Sequence, residues 1–313
     1  MSPTLILHRR ATQTLWLLTL LAACDDASPP AGADAFPTGP AAQADAQGHT
    51  IRHYGTPVRV GEGTARTYVL VNTSDRDVPL EVGVALSEGA MEGLPAATAN
   101  GMAAMAGHGS MLVNLLALPE LNPTPYQFVE LDWNPAGHEP AAIYGIPHFD
   151  FHFYTVSRET RSSILPSDPR YAEAAASFPA AEFRPPFYLD AATAAGAPAW
   201  AVTVPQMGLH WFDVRAPELQ AALGNPAGYQ PFTRTFIKGT WDGRFIFDEP
   251  MITRAWLLTK RISSREAAPD EIISVPTAER YAPAGYYPQA YRVAYDPRAR
   301  EFLVGLTQLA ARE

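Results

Sequence analysis

The stretch GHEPAAIYGIPHFDFHFY, residues 137–154, decides the predicted fold. Its second half, residues 147–154, alternates strictly, with three phenylalanines on one face and His148, Asp150 and His152 on the other. A period of two is typical of a β-strand, so the sequence predicts a strand with an aromatic core face. Two imidazoles around a carboxylate are an unusual outer face for such a strand, and they indicate a metal-centred site.

Most of the remaining chain also predicts short strands. Alternating or apolar runs occupy residues 65–72, 78–86, 110–118, 126–133, 200–204, 208–214, 233–238, 244–247 and 251–260. Helices are predicted at residues 169–177, after the N-cap candidate Asp168, and at residues 215–223. Residues 282–295 are rich in Tyr and Pro and predict an irregular covering. Many short strands with few helices predict a mainly β domain, either a sandwich or a cupin-like or jelly-roll barrel.

Residues 1–23 predict a lipoprotein signal peptide. Arg9 and Arg10 precede an apolar run that is too short for a permanent membrane helix, and LAAC at residues 21–24 matches a bacterial lipobox. We expect cleavage before Cys24 and lipid attachment to its thiol; a plain signal peptide followed by a chance cysteine is the alternative. Cys24 is the only cysteine of the chain, so no disulfide is expected.

Residues 24–50 are rich in Ala, Pro, Gly and Asp and predict a disordered tether, because such a composition buries too little apolar surface to fold. Residues 51–313 then form a single mainly β domain. The predicted location is exported, as a periplasmic or cell-surface lipoprotein, with the membrane as its partner through the lipid on Cys24.

Charge and motif content argue against several function classes. The formal net charge is −9 and no basic run occurs, so nucleic acid is not an expected partner. The chain has no GxGxxG, P-loop or GxSxG motif, which argues against dinucleotide binding, P-loop chemistry and the nucleophile-elbow hydrolases. A small-molecule substrate and a homo-oligomer both remain compatible with the sequence.

Other polar residues complete a candidate metal site. His138 and Glu139 precede the strand, His210 lies in MGLHW, and Glu249 lies in FDEPM. Histidines with a carboxylate suit a divalent transition metal, Zn best, with Mn, Fe and Cu as alternatives. Each residue alone also fits an ordinary role: His210 as a core or rim residue, Glu249 as a loop acid, and His138 with Glu139 as a turn. Their co-occurrence carries the prediction.

Strand geometry limits which residues share an ion. His148 and His152 lie about 13 Å apart on a straight strand, at ~3.3 Å per residue, so they share one ion only if the strand bends or bulges. Otherwise Asp150 pairs with one of them, as a ligand or as the acceptor that fixes an imidazole tautomer. The alternation argues against a helical HExxH site. We expect His148, His152 and His210 to converge, with Glu249 and His138 near enough to complete or flank the shell.

These motifs resemble a bacterial family of exported proteins known mainly as a domain of unknown function. The resemblance spans most of residues 50–262, through GHEP, PHFDFHFY, MGLHW and FDEPMIT. Its signature positions in this chain are His138, Glu139, His148, Asp150, His152, His210 and Glu249. The best-described member is a thermophile protein under extracytoplasmic sigma-factor control. The resemblance implies a largely β fold and an extracytoplasmic, stress-linked role, and it implies no particular activity.

Two functions are consistent with these residues. The first is a metal-dependent hydrolase or oxidoreductase acting on a small molecule, with Glu139 or Asp150 as acid and base. The second is a non-catalytic metal-binding or structural envelope lipoprotein. Three protein ligands facing a cleft would favour catalysis, and four or more in a sealed interior would favour a structural site.

Overall fold

A computed structural model describes residues 42–45, 48–97, 112–261 and 270–313. The predicted signal peptide, Cys24 and most of the predicted tether lie outside the described residues. Within the described ranges, none of the helices has the length and apolar character needed to cross a membrane.

Short strands dominate the described residues. The strands are β1 Ala42–Ala44, β2 Thr50–Tyr54, β3 Val58–Val60, β4 Gly63–Asn72, β5 Asp75–Ser87, β6 Leu112–Ala117, β7 Phe128–Asn134, β8 His148–Tyr154, β9 Tyr188–Asp190, β10 Leu209–Asp213, β11 Arg234–Trp241, β12 Arg244–Thr253, β13 Glu271–Ser274, β14 Gly285–Tyr287, β15 Ala290–Asp296, β16 Glu301–Thr307 and β17 Ala310–Arg312. The α-helices are α1 Ala141–Tyr144, α2 Arg158–Ser163, α3 Tyr171–Ala176, α4 Ala191–Ala195, α5 Ala199–Val202 and α6 Arg254–Thr259. Short 3₁₀ helices occupy Glu88–Met91, Ala181–Phe183, Pro217–Leu219 and Pro226–Gly228.

The strands assemble into two large antiparallel sheets. Sheet 1 has the order β1-β2-β4-β5-β16-β15-β13, with β3 attached to β4, and sheet 2 has the order β6-β7-β8-β12-β11-β10-β9. Strands β14 and β17 form a separate pair. Both large sheets end in open edges, so the mainly β sandwich is confirmed and the cupin-like or jelly-roll barrel is wrong. The apolar faces are buried between two sheets rather than inside one closed sheet.

The main core lies between the sheets and contains the aromatic face of β8. Phe149, Phe151 and Phe153 are fully buried and share one apolar cluster with Val84 of β5 and Val304 of β16. The strand predicted for residues 147–154 is therefore confirmed, together with the direction of its aromatic face.

The opposite face of β8 is buried as well. Its residues His148, Asp150 and His152 are 0% exposed, because the segments that connect the strands of sheet 2 fold over them. Tyr144 of α1 and Phe232 pack edge to face with ring centroids 4.9 Å apart, and the Phe232 ring lies 5.3 Å from the His148 ring. Polar residues that the sequence places on an outer face thus lie in a second interior layer.

The ladder between β8 and β12 is interrupted at Glu249 and Pro250. Pairing runs as far as Asp248 and resumes at Met251. Proline has no N–H to donate, and it is rare in a strand that has neighbours on both sides. We call this interruption the Pro250 gap; it faces the part of β8 that carries His152.

Four predicted segments differ from the structure. Residues 200–204 begin in α5 rather than a strand, and residues 215–223 form a 3₁₀ turn rather than an α-helix. The strand predicted over residues 251–260 ends at Thr253, whose side chain accepts a hydrogen bond from the first turn of α6 and caps that helix. Residues 282–295 are not an irregular covering, because β15 pairs with β13 and β16 within sheet 1.

Truncating Phe151 to Ala should lower the free energy of unfolding by about 3–5 kcal/mol, since the change removes burial and leaves a cavity in the core. Urea unfolding of both proteins measures this difference. The matched control is Ile272→Ala, at a residue that is 51% exposed, with an expected change within about 0.5 kcal/mol. Equal losses for the two variants would contradict the assignment of Phe151 to the core.

Candidate metal centre

Polar side chains from neighbouring strands meet on the buried polar face of sheet 2. In the β7–β8 register, Glu130 lies opposite His152, Asp132 opposite Asp150, and Asn134 opposite His148. All six residues are fully buried. Glu249 of β12 and His210 of β10 extend this set across the sheet. We call these eight residues the row.

The predicted ligands fall into two groups rather than one. In each group, the three candidate ligand atoms lie within 4.8 Å of one another. The first group, the His138 centre, consists of His138, His148 and Asp150. The second group, the His210 centre, consists of His152, His210 and Glu249. His148 and His152 therefore belong to different groups, and Asp150 pairs with His148, one of the two i,i+2 pairs that the strand spacing allowed.

Both histidines of the His138 centre have a fixed tautomer. Nδ1 of His148 lies 2.6 Å from the carbonyl oxygen of Ile146, and Nδ1 of His138 lies 2.8 Å from that of Glu139. A carbonyl oxygen only accepts, so each Nδ1 donates a proton and each neutral ring has its lone pair on Nε2. The two Nε2 atoms lie 3.2 and 3.5 Å from the carboxylate oxygens of Asp150.

Asp150 is partly satisfied by protein donors. Asn134 donates to Oδ2 at 2.7 Å, whereas Oδ1 and the Nε2 of His148 have no hydrogen-bond partner of acceptable geometry. Burial opposes ionisation of Asp150, but His148 and His138 outweigh it and hold the pKa of Asp150 well below its usual range. Burial likewise opposes the charging of His138, and Asp150 nevertheless raises its pKa.

The His210 centre has one carboxylate between two imidazoles. Nε2 of His152 lies 3.4 Å from Oε1 of Glu249, and Nε2 of His210 lies 3.8 Å from Oε2. The His152 ring is fully buried, whereas the His210 side chain is 18% exposed. This centre is therefore the one with a side that faces solvent.

A third group adjoins the second and shares His152. Nδ1 of His152 lies 3.2 Å from Oδ2 of Asp132, on the opposite side of the ring from Glu249. Glu130 completes this group, and Arg161 of α2 donates to its Oε1 at 2.5 Å. A carboxylate beside the second nitrogen of a ligating histidine usually fixes its tautomer and orientation. Asp132 lies close enough to do this for His152, although Nδ1 of His152 and the Asp132 oxygens have no hydrogen-bond partner of acceptable geometry in the structure.

In three of the buried acids of the row, burial and repulsion by neighbouring carboxylates together raise the pKa. Burial raises the pKa of Glu130 to about 7 and that of Asp132 well above its usual value, and in both cases a neighbouring carboxylate adds to the effect. The pKa of Glu249 is raised well above normal by burial and by the nearby carboxylates. Burial lowers the pKa of His152. A divalent cation would reduce this repulsion, because it stabilises ionised acids and neutral imidazole.

The comparisons with known proteins give a partial match. Residues 74–133 match a family model described as TTHB210-like, hypothetical protein TTHB210. The matched segment includes Glu130 and Asp132 but ends before His138, so it leaves the PHFDFHFY, MGLHW and FDEPMIT segments unmatched. Neither the curated proteins nor the solved structures gave a match.

One residue predicted from the sequence lies outside these groups, and several members were missed. The exposed Glu139 accepts a hydrogen bond from the backbone of Ala141 at 2.8 Å and belongs to none of the three groups. Sequence reasoning missed Glu130, Asp132 and Arg161. The alternation in YQFVELDW places both acids on one strand face, the same signal that singled out β8; the contact of Arg161 depends on tertiary folding and has no such signal.

A cleft lies beside the row rather than within it. Its lining includes Lys238, Arg244, Arg280, Tyr281 and Phe247. The Phe247 ring also packs against the rings of the His210 centre. Its centroid lies 4.8 and 5.5 Å from those of the two histidines there. Phe247 is thus part of the cleft lining and of the wall of the metal centre.

Gly239 makes room for the Phe247 ring. A Cβ at this position would lie 2.0 Å from a ring atom of Phe247, so Gly239→Ala must displace the ring from the His210 centre. We expect the variant to lose about 1–3 kcal/mol of unfolding free energy, the usual cost of overpacking. Urea unfolding provides the measurement.

The matched test repeats Gly239→Ala in a Phe247→Ala background. Because the clashing ring is then absent, the glycine substitution should cost markedly less, which a double-mutant cycle detects. Additive losses would show that Phe247 is not the cause.

Proposed function

We propose that this protein binds a divalent transition metal at the His210 centre and uses it on a small-molecule substrate. The observation that carries the proposal is a pair of buried donor atoms. Nε2 of His152 and Oε2 of Glu249 both lack a hydrogen-bond partner, and a buried polar group without a partner is costly. Together with His210 they offer a metal two nitrogens and a carboxylate.

The proposed chemistry follows from the number and exposure of the ligands. Three protein ligands leave a coordination position open on a zinc ion, and the partly exposed His210 marks the side from which water or substrate reaches it. Such an ion lowers the pKa of bound water or polarises a carbonyl oxygen. Asp132 would keep His152 in the tautomer that presents Nε2 to the metal. Zn fits this donor set best, with Mn, Fe and Cu as alternatives.

A non-catalytic metal protein is the second candidate. The observation that favours it is the near absence of solvent at the His138 centre, where the exposed fractions of the three side chains are 7%, 0% and 1%. An ion held there would have little access to substrate, as in structural sites.

Loss of the His210 imidazole tests the proposed centre directly. His210→Ala should weaken Zn²⁺ binding at least as much as the roughly 10–100-fold that is typical of losing an outer hydrogen-bond partner of a ligand. Competition with a chromophoric chelator measures the affinity. His53→Ala, in β2 of sheet 1, is the matched control and should bind as the wild type does. Unchanged affinity in His210→Ala would contradict the proposal.

Zn²⁺ affinity should also fall as the pH is lowered, because protons and the metal compete for the same imidazole lone pairs. The direction is fixed by the ligands: binding requires neutral histidines, so the protonated form present at lower pH binds more weakly. The same chelator competition between neutral and mildly acidic pH measures the trend. A pH-independent affinity would argue against histidine ligands.

We also propose that the protein is exported and anchored through lipid on Cys24, as residues 1–24 suggest. Cys24→Ala should release the protein from the membrane fraction or leave its leader uncleaved, because the acceptor thiol is missing. Fractionation and intact-mass spectrometry distinguish these outcomes. A mature wild-type N-terminus at another residue, without lipid, would overturn the anchor.

A further inference from the structure

We infer that the row holds two metal ions at once, the second at the His138 centre, in a site separate from the one at the His210 centre. The inference rests on the proposed function, since it adds an ion to a protein already proposed to bind one. It assigns the His138 centre to a divalent transition metal of the same class.

The donor atoms of the His138 centre support this assignment. The Nδ1 atom of each histidine is used by a backbone carbonyl, so both Nε2 lone pairs face the Asp150 carboxylate. Whenever the ring is neutral, its Nε2 and a carboxylate oxygen are both acceptors and repel each other, whereas a protonated ring forms an ion pair with the carboxylate. The Nε2 of His148 lies 3.2 Å from Oδ1 of Asp150 without hydrogen-bond geometry. A cation bound to both atoms turns the repulsion into two bonds.

The charge of the row is also compatible with a second ion. Four carboxylates lie on this buried face, those of Glu130, Asp132, Asp150 and Glu249. Arg161 pairs with only one of them, Glu130. Three carboxylates then remain, and adjacent like charges on neighbouring strands destabilise a sheet. If all three are ionised, one divalent ion leaves a net charge of −1 and two ions leave +1, so a second ion brings the set as close to neutrality as the first does.

The spacing along β8 separates the two sites. Asp150 and His152 are two residues apart on one strand face, which places their Cα atoms about 7 Å apart at ~3.3 Å per residue. Each side chain leans towards different partners: Asp150 towards His138, and His152 towards Glu249. Two mononuclear sites fit this arrangement, rather than a pair of ions joined by one bridging ligand.

The competing explanation of the His138 centre is an ion pair without metal. In that case at least one of its histidines is protonated and Asp150 accepts from it. The two explanations differ in the number of metal ions that the chain binds, so stoichiometry separates them.

The experiment counts ions in the full-length protein, purified in detergent and equilibrated with Zn²⁺. Gel filtration followed by elemental analysis should give two ions per chain for the wild type. His138→Ala and His210→Ala should each retain one ion, and the control His53→Ala should retain two. Circular dichroism establishes that each variant is folded.

A second measurement does not depend on variants. Titration of the metal-free wild-type protein with Co²⁺, followed by visible absorption, should saturate only after two equivalents. Saturation after one equivalent would overturn the inference, even if the variants do not fold.

The outcomes also separate this inference from the proposed function. A single ion that is lost in His210→Ala and kept in His138→Ala would overturn the second site and leave the proposed function standing. A single ion lost in both variants would mean one shared site, which also overturns the inference. A wild-type protein that binds no ion would overturn the proposed function and the inference with it.

Discussion

The structure depends on how a strand that is buried on both faces accommodates polar groups on one of them. Removing imidazoles and carboxylates from water is costly unless each finds a partner. Neighbouring groups provide some of these partners. Asn134 donates a hydrogen bond to Asp150, Arg161 donates to Glu130, and the Ile146 carbonyl accepts from His148. Nε2 of His148, Oδ1 of Asp150, Nε2 of His152 and Oε2 of Glu249 have no hydrogen-bond partner, and a metal cation would stabilise such atoms.

Core packing and the candidate site are set by the same register. Because strand side chains alternate, shifting β8 by one residue would exchange its phenylalanines for its histidines in the core. The apolar face between the sheets therefore enforces the alignment that brings His152 opposite Glu130 and Asp150 opposite Asp132. Apolar packing in the core on the opposite side of the sheet therefore helps to hold the polar row in place.

The alternation of residues 147–154 was enough to predict the central strand, the direction of its two faces and the mainly β class. The sandwich and the barrel could not be separated from sequence, because both use the same period and differ only in whether the sheet edges meet. The prediction for residues 282–295 was wrong for a local reason: their tyrosines and prolines suggested irregular structure, although part of the segment forms β15. Its pairing with β16 joins neighbours in sequence, but its place in sheet 1 depends on distant β5.

The sequence indicated the residue types of the candidate site but not how they group. His148, His152, His210 and Glu249 lie on one face of sheet 2 and His138 lies close to it, but strand spacing divides the five between two centres. His138 illustrates the limit: it reaches Asp150 from a loop, and loop paths are not encoded in a periodic pattern. Glu139, its neighbour, turns outward because its side chain bonds to the first turn of α1.

The Pro250 gap has a consequence for the kinetics of the molecule. Where two neighbouring strands lack ladder hydrogen bonds, fewer interactions must break for them to separate, so local opening there costs less than opening elsewhere in the sheet. The gap lies between Glu249 and the segment of β8 that carries His152. Amide hydrogens along this seam are therefore poised to exchange with solvent ahead of their neighbours. Opening of this seam alone would expose the fully buried imidazole of His152 while the sandwich stays intact.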